Sequence, residues 1–397
     1  MLPPPISAMR RFLLLAVAAL SALSTPAQPP SSAAPAKDPA ATPPPPPRPA
    51  PVISPEIHAD RTVTFRLRAT AATLVKMWGD WDGKGNDLTR DAAGIWSVTL
   101  GPIAPGLYAY SFNLDGLTLA DPQNAALKPM RTPTSSVLLV PGEPPVPLNY
   151  APGLPRGTVH LHDYDSKALG LVRRLRVYTP PAYDAAAATR YPVFYLLHGS
   201  GDNESTWTEF GKANVILDHL IAAGRARPML VVMTDGHAAT GMTREAYLKN
   251  TGAFESDFLG DVLPLVEANY RTLADRDHRA IAGLSMGGGQ ALTIGLNHRD
   301  LFSWVGGLSS GFRDPEQALP SFWSDPVSAK TPLHLLYLRV GRDDRLLPDT
   351  KNFADLLTAK HVPHDYAETA GGHTWPVWRA NLADLAPLLF QDAKPEP

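Results

Sequence analysis

The sequence predicts a doubly wound, mostly parallel α/β sheet preceded by a small all-β sandwich. Continuous apolar runs such as YPVFYLLHG (191–199), PMLVVMTDG (228–236), HRAIAGLS (278–285), LFSWVGGLS (301–309) and PLHLLYLRVG (332–341) read as strands buried on both faces. Helical patterns, ANVILDHLIAAG (213–224) and FLGDVLPLVEANY (258–270), fall between them, which is the alternation a parallel sheet requires. Ahead of residue 150 the strands are short, evenly spaced and alternately polar, as in a sandwich.

Taken in order, the chain of 397 residues opens with an export signal over 1–27. Arg10 and Arg11 precede the apolar FLLLAVAALSAL, and Thr25-Pro26-Ala27 supplies small residues for cleavage. Met9 serves equally well as the start. The apolar run is shorter than the ~20 residues of a membrane helix, and no other stretch is long and apolar enough to span a bilayer. The product is expected in the periplasm or outside the cell. Residues 28–55 are rich in Pro, Ala and Ser, with PPPPP at 43–47, and read as an extended tether.

Residues 56–150 carry the sandwich. RTVTFRLRA (61–69), TLVKMWG (73–79), IWSVTLG (95–101), YAYSFNLDG (108–116) and SVLLVPG (136–142) are its strands, and Asp115-Gly116 is a turn. A connector over 151–157 leads into the second domain, 151–397. Net charge is −2, so no affinity for nucleic acid or anionic membrane is expected. There are no cysteines, which excludes disulfides, thiol catalysis and thiolate zinc sites. Nothing in the chain marks an oligomeric state.

The chemistry centres on Gly283-Leu284-Ser285-Met286-Gly287, a G-x-S-x-G between a strand and a helix. In that context the serine occupies a tight turn that exposes its hydroxyl at a helix N-terminus. Larger neighbours would collide with adjoining backbone, hence the glycines. A serine nucleophile needs a base oriented by an acid, in the chain order Ser, Asp or Glu, His. Asp343 and Asp344 end the strand PLHLLYLRV and qualify as the acid. His373, in the glycine loop AGGHTW, follows the next strand and is the best placed base. Two N–H donors are needed for the oxyanion. Met286, the residue after the serine, supplies one; the turn His198-Gly199-Ser200-Gly201 supplies the other, with Ser200 favoured over Gly201 and His198 read as structural.

These stretches together resemble the esterase D-type α/β-hydrolases, in particular carbohydrate esterase family one. YTPPAYD (178–184), YPVFYLLHGSGDNESTW (191–207), FLGDVLPLVEANYRT (258–272), AGLSMGG (282–288), GRDD (341–344) and GGHTW (371–375) carry the likeness. It implies Asp344 as the triad acid, being the fourth residue of G-x-x-D. It also implies a carboxylic ester hydrolase without cofactor or metal. The substrate it points to is an acylated polysaccharide, foremost feruloylated xylan, with acetylated xylan, a siderophore of the enterobactin kind and same-fold acyl transfer as alternatives. A catalytically dead carbohydrate-binding protein is the reading from a different class. VKMWGDW (75–81), GIWSVTLGPIAPGLYAYSFNLDG (94–116) and DPQN (121–124) resemble the immunoglobulin-like E-set modules of such esterases and of glycogen-branching enzymes. Some of those modules bind glycan, so Trp78, Trp81 and Trp96 are either sugar platforms or core.

Expected substrate contacts are Trp207 and Trp375 in the matched loops, and Phe312 and Trp323, with Phe322, in SSGFRDPEQALPSFWSDP (309–326). DWDGKGND (80–87) has the look of a calcium loop but places Lys84 where an oxygen ligand belongs, so it reads as a turn. His160 and His162 share one face of a strand and lack a third ligand nearby.

Overall fold

The computed structural model describes residues 51–183, 188–239, 244–312, 314–328 and 330–391, with 244–248 as backbone only. The expected export signal and all but the end of the tether lie outside the described residues, as does Asp184 of the YTPPAYD stretch. Among the described residues no helix is long and apolar enough to cross a membrane. The described residues from 51 to 391 belong to one compact unit by their contacts.

The alternating segments pair as antiparallel ribbons. Val63–Arg68 pairs with Ile95–Leu100, while Gly106–Leu114 pairs with both Val75–Gly79 and Ser136–Val140. Their alternate residues Val63, Phe65, Leu67, Val75, Met77, Tyr110, Phe112, Leu138 and Val140 make one buried cluster. Asp115 and Gly116 both hold positive φ, 48° and 96°, as a two-residue hairpin turn demands. The Asp115 carboxylate also accepts from the Thr73 and Leu74 N–H groups, pinning the neighbouring strand to that turn.

Eight strands form the main sheet: β1 (Thr158–Ser166), β2 (Leu171–Thr179), β3 (Val193–Leu197), β4 (Leu230–Thr234), β5 (Arg279–Leu284), β6 (Trp304–Leu308), β7 (Leu335–Gly341) and β8 (Asp365–Thr369). Their order is β1-β2-β4-β3-β5-β6-β7-β8. From β4 to β8 every pairing is parallel; β1, β2 and β4 pair antiparallel. The sheet is therefore mixed. The loop from Ser166 to Leu171, turning at Gly170 with φ 67°, is too short for a parallel crossover.

Helices α1 (Ala213–Ala222) and α6 (Trp375–Leu385) cover one face; α2 (Arg244–Asp257), α3 (Leu263–Asn269), α4 (Met286–Asn297) and α5 (Leu347–Ala359) cover the other. Alternate strand residues divide between the faces: Phe194 and Leu196 pack toward α1 and α6, Val193, Tyr195 and Leu197 toward α2 to α5. The helix expected over 258–270 begins with α2, and a π-turn at Phe258–Val262 joins it to α3. Pro264 has no N–H to give to the preceding turn, and the wider turn absorbs that missing bond.

The N-terminal sheets are fused to the α1–α6 face. Leu107, Ala109 and Leu148 are buried in the same cluster as Phe210, Leu217, Trp375 and Trp378. Arg379, buried at 3% exposure, donates to Leu107 O at 2.8 Å and to Phe210 O at 3.1 and 3.3 Å. Burial pushes its guanidinium pKa down to about 10, against the opposing pull of Asp80. Truncating it would leave two buried carbonyls unsatisfied, so Arg379→Ala is expected to cost about 3 kcal/mol. Urea denaturation checks this, and the shared core predicts one cooperative transition for 51–391 rather than two.

Candidate active site

Ser285 closes β5 and caps α4 with φ 52° and ψ −113°, a conformation that costs energy for any residue with a Cβ. Its N–H donates to Leu308 O at 2.9 Å on the neighbouring strand, which fixes the turn. The flanking glycines are required by contact. A Cβ on Gly283 would lie 2.4 Å from Gly287 O, and one on Gly287 would lie 2.4 Å from His198 O.

The turn brings together side chains 88 and 29 positions apart. His373 Nε2 lies 3.0 Å from Ser285 Oγ. His373 Nδ1 lies 2.9 and 3.0 Å from the two oxygens of Asp344. With Nδ1–H donating to the carboxylate, Nε2 is left to accept the serine proton. Asp344 is 4% exposed and also accepts from Leu346 N–H at 2.8 Å. Burial pushes its carboxyl pKa up, but the bonds from His373 and Leu346 outweigh that and hold it below the usual carboxylate value. Asp343 points elsewhere: it is exposed, and its backbone N–H serves Gly371 O. Geometry thus separates the two candidate acids.

Two supports here had no sequence signal beyond their position. Trp378, one turn along α6, sets its ring edge-on to the imidazole at 4.9 Å and donates to Ser309 Oγ at 3.1 Å. Ser309 in turn helps to lower the Asp344 pKa.

The Ser200 and Met286 amides both border this arrangement, Ser200 in the cavity wall and Met286 at the first position of α4. Among the described residues neither N–H has a hydrogen-bond acceptor, so both are free for an oxyanion. The turn carrying Ser200 is held from three sides. Arg131 N–H donates to Gly201 O at 2.8 Å, Gly201 N–H donates to His237 Nε2 at 3.3 Å, and the buried His198 ring bonds Gly199 O and Gly236 N–H at 2.8 and 2.9 Å. The loop 235–237 beneath it is clamped by Asn250, Gln290 and Arg173 through the carbonyls of Gly236, Asp235 and His237. His198 and His237 are thus supports of the turn, far removed in sequence from the serine.

A cavity of about 190 Å³ opens on Ser285 and His373. Gly199, Ser200, Leu284, Trp375 and Trp378 form part of its wall, and four ionisable side chains, Asp80, Lys128, Asp202 and Arg345, form the rest. A larger hollow of about 630 Å³ lies by Leu139, Tyr150 and His219 and contains none of the three aligned side chains.

Of the expected substrate contacts only Trp375 lines the catalytic cavity; the others are corrected by the structure. Trp207 is 1% exposed, donates to Leu197 O at 3.0 Å and packs edge-on to Trp375 at 5.0 Å. Phe312 is 6% exposed against Phe353. Trp323 packs on Phe322 and donates to Pro315 O at 2.8 Å. Large rings gain more from core burial than a loop position implies. In the N-terminal sheets Trp96 is buried in the core and donates to Ala69 O, Trp81 is half-buried and stacks on Phe65 at 5.5 Å, and Trp78 is 39% exposed. The Asp82 carboxylate accepts from Lys84 N–H at 3.0 Å, as a turn does. His160 and His162 bond Thr179 and Tyr270, and the described residues hold no cluster of three metal-ligating side chains.

Comparison with known proteins follows the same line. The family model described as "Putative esterase" matches residues 166–389. An endo-1,4-beta-xylanase/feruloyl esterase of Xylanibacter ruminicola is 30% identical over 350 residues, which is 85% of this chain and 46% of that protein. The chain spans about half the length of the curated relatives it matches. Among solved structures, a CE1 ferulic acid esterase of Anaeromyces mucronatus is 25% identical with TM-score 0.55, over 61% of this chain and 94% of that one. An enterobactin esterase of Shigella flexneri is 20% identical with TM-score 0.61, over 83% of this chain and 93% of that one, a likeness of fold.

The His237 contact yields a pH prediction. Burial, then the neighbouring His198, pushes its pKa from 6.5 down to about 4, and Gly201 N–H needs the unprotonated nitrogen. The unfolded chain takes up a proton near pH 6.5 and the folded chain only near pH 4, so stability falls across that window as pH drops and levels below it. His237→Gln keeps an acceptor but cannot titrate. Its urea midpoint is expected to decline less than that of the parent between pH 7 and pH 4.

Proposed function

The chain belongs to the Esterase family, and from that premise we propose that it is an exported serine carboxylic-ester hydrolase, foremost a feruloyl esterase acting on plant xylan. The observation that carries the esterase reading is the strained Ser285 with its hydroxyl 3.0 Å from His373 Nε2 and the imidazole backed by Asp344. His373 removes the serine proton as Oγ attacks the ester carbonyl. The oxyanion that develops is met by the Met286 and Ser200 N–H groups, each worth about 3 kcal/mol of barrier in comparable sites. The imidazolium, steadied by the Asp344 carboxylate, then protonates the leaving alcohol. Water enters the same position, is deprotonated by His373, and releases the acid from the acyl-enzyme.

The choice of acyl group draws on the relatives. The Xylanibacter ruminicola protein is named as a xylanase and feruloyl esterase, and the Anaeromyces mucronatus structure is of a ferulic acid esterase. The 350 residues aligned with the former exceed what 151–397 contains, so the likeness reaches into the N-terminal sheets. This supports an immunoglobulin-like module over 56–150 that works together with the hydrolase of 151–397. Export rests on the basic and apolar pattern of 1–27.

Methyl ferulate, an acetylated xylo-oligosaccharide and enterobactin, offered side by side, test the reading. Ferulate release is expected to have the highest kcat/KM of the three; preference for either other ester moves the substrate accordingly, and cleavage of none rejects the hydrolase. Ser285→Ala is expected to lower kcat by roughly 10⁴-fold or more with the fold retained. A well-folded variant with parental turnover would exclude Ser285 as the nucleophile.

A further inference from the structure

The cavity at Ser285 takes two of its charged walls from outside the eight-stranded sheet. Asp80 follows the strand Val75–Gly79, and Lys128 lies between the strands Leu117–Leu119 and Ser136–Val140. Asp80 is fixed by accepting from Ala109 N–H through Oδ2 at 3.0 Å, and its Oδ1 makes no hydrogen bond among the described residues. Lys128 Nζ is held by Asp202 at 2.5 Å and by the faces of Trp375 and Phe210 at 5.5 and 5.7 Å. One of its three N–H groups is thereby committed and two are spare. Across the same cavity, Trp375 is 1% exposed and its Nε1–H is closed off from solvent. Arg345 is exposed there, and its guanidinium has no partner among the described residues.

A wall of this kind recognises a particular chemistry. Spare donors and a spare acceptor around about 190 Å³ complement groups that both give and take hydrogen bonds. An aromatic acid ring placed against them would leave the free Asp80 oxygen and the spare Lys128 donors without hydrogen-bond partners. Vicinal hydroxyls, which both donate and accept, match them. We propose that Asp80 and Lys128 form a sugar-hydroxyl subsite beside Ser285, so that the N-terminal sheets read the alcohol half of the ester. This rests on the ester-hydrolase reading above and names the residues that meet the alcohol half.

Two ferulate esters separate the halves: methyl ferulate, and a feruloyl ester of arabinose. Asp80→Asn keeps the shape and an acceptor for Ala109 N–H. Its ratio of kcat/KM, sugar ester over methyl ester, is expected to fall about fivefold or more, chiefly through KM for the sugar ester, because a spare hydrogen-bond acceptor is lost or reversed. Lys128→Met alone would strand the buried Asp202 carboxylate. The second variant therefore combines Lys128→Met with Asp202→Asn, removing both charges, and the same fall in ratio is expected. A smaller fall in both folded variants overturns the subsite and leaves a purely structural tie between the sheets and the hydrolase. A parent protein that cleaves neither ester overturns the hydrolase reading and the subsite with it.

Discussion

One residue held at φ 52° and ψ −113° is the constraint on which the site depends. A serine there costs of order 1–3 kcal/mol, and it persists because the surroundings leave no alternative. Leu308 O holds its amide from β6. Gly283 and Gly287 let β5, α4 and the Leu197–His198 backbone approach within distances that a methyl group would forbid. Relaxing Ser285 to an ordinary conformation would withdraw the hydroxyl from His373 and turn the Met286 amide away from the same cavity.

The parallel half of the sheet does the rest of the positioning. The loops after β3, β5, β7 and β8 all leave from carboxyl ends, so Ser200, Ser285, Asp344 and His373 converge although they come from four separate loops. Helix α6 then locks the result. Trp378 braces the imidazole and, through Ser309, the acid; Arg379, the next residue, grips Leu107 and Phe210. His373 is therefore linked through Trp378 and Arg379 to the N-terminal sheets.

How much of this was legible in the sequence followed from how local each signal is. The serine turn and the glycine loop of His373 each announce themselves within a few residues, and the buried strands do so by composition. Asp344 and Asp343 are adjacent and alike in sequence; only the fold of the turn shows which one faces His373, a choice for which the resemblance to a family had to stand in. The mixed character of the sheet is hidden because the alternation of β1, at the edge, and of β2 beside it suits either direction. Aromatic residues misled for a similar reason. Trp207, Phe312 and Trp323 look in sequence like contacts for a ring-shaped ligand, whereas the energy of burial sends Trp207 and Phe312 into the interior and packs Trp323 against it. Asp80 and Lys128 had no signal at all, since nothing in a strand terminus or a loop lysine foretells contact with a cavity formed by residues 70 to 300 positions later.

That last point bears on what the N-terminal segment is. A detachable module would meet its neighbour through a polar, well-hydrated surface of its own. Here Leu107, Ala109 and Leu148 belong to the same buried cluster as Trp375 and Leu385, and Lys128 is itself buried against Asp202. Without residues 56–150 the α1–α6 face would be laid open, Arg379 would lose its Leu107 partner, and the cavity would lose Asp80 and Lys128 at once. Stability and the catalytic cavity thus draw on the same contacts, so a change in the sheets that loosens Arg379 or Lys128 also alters the walls around Ser285.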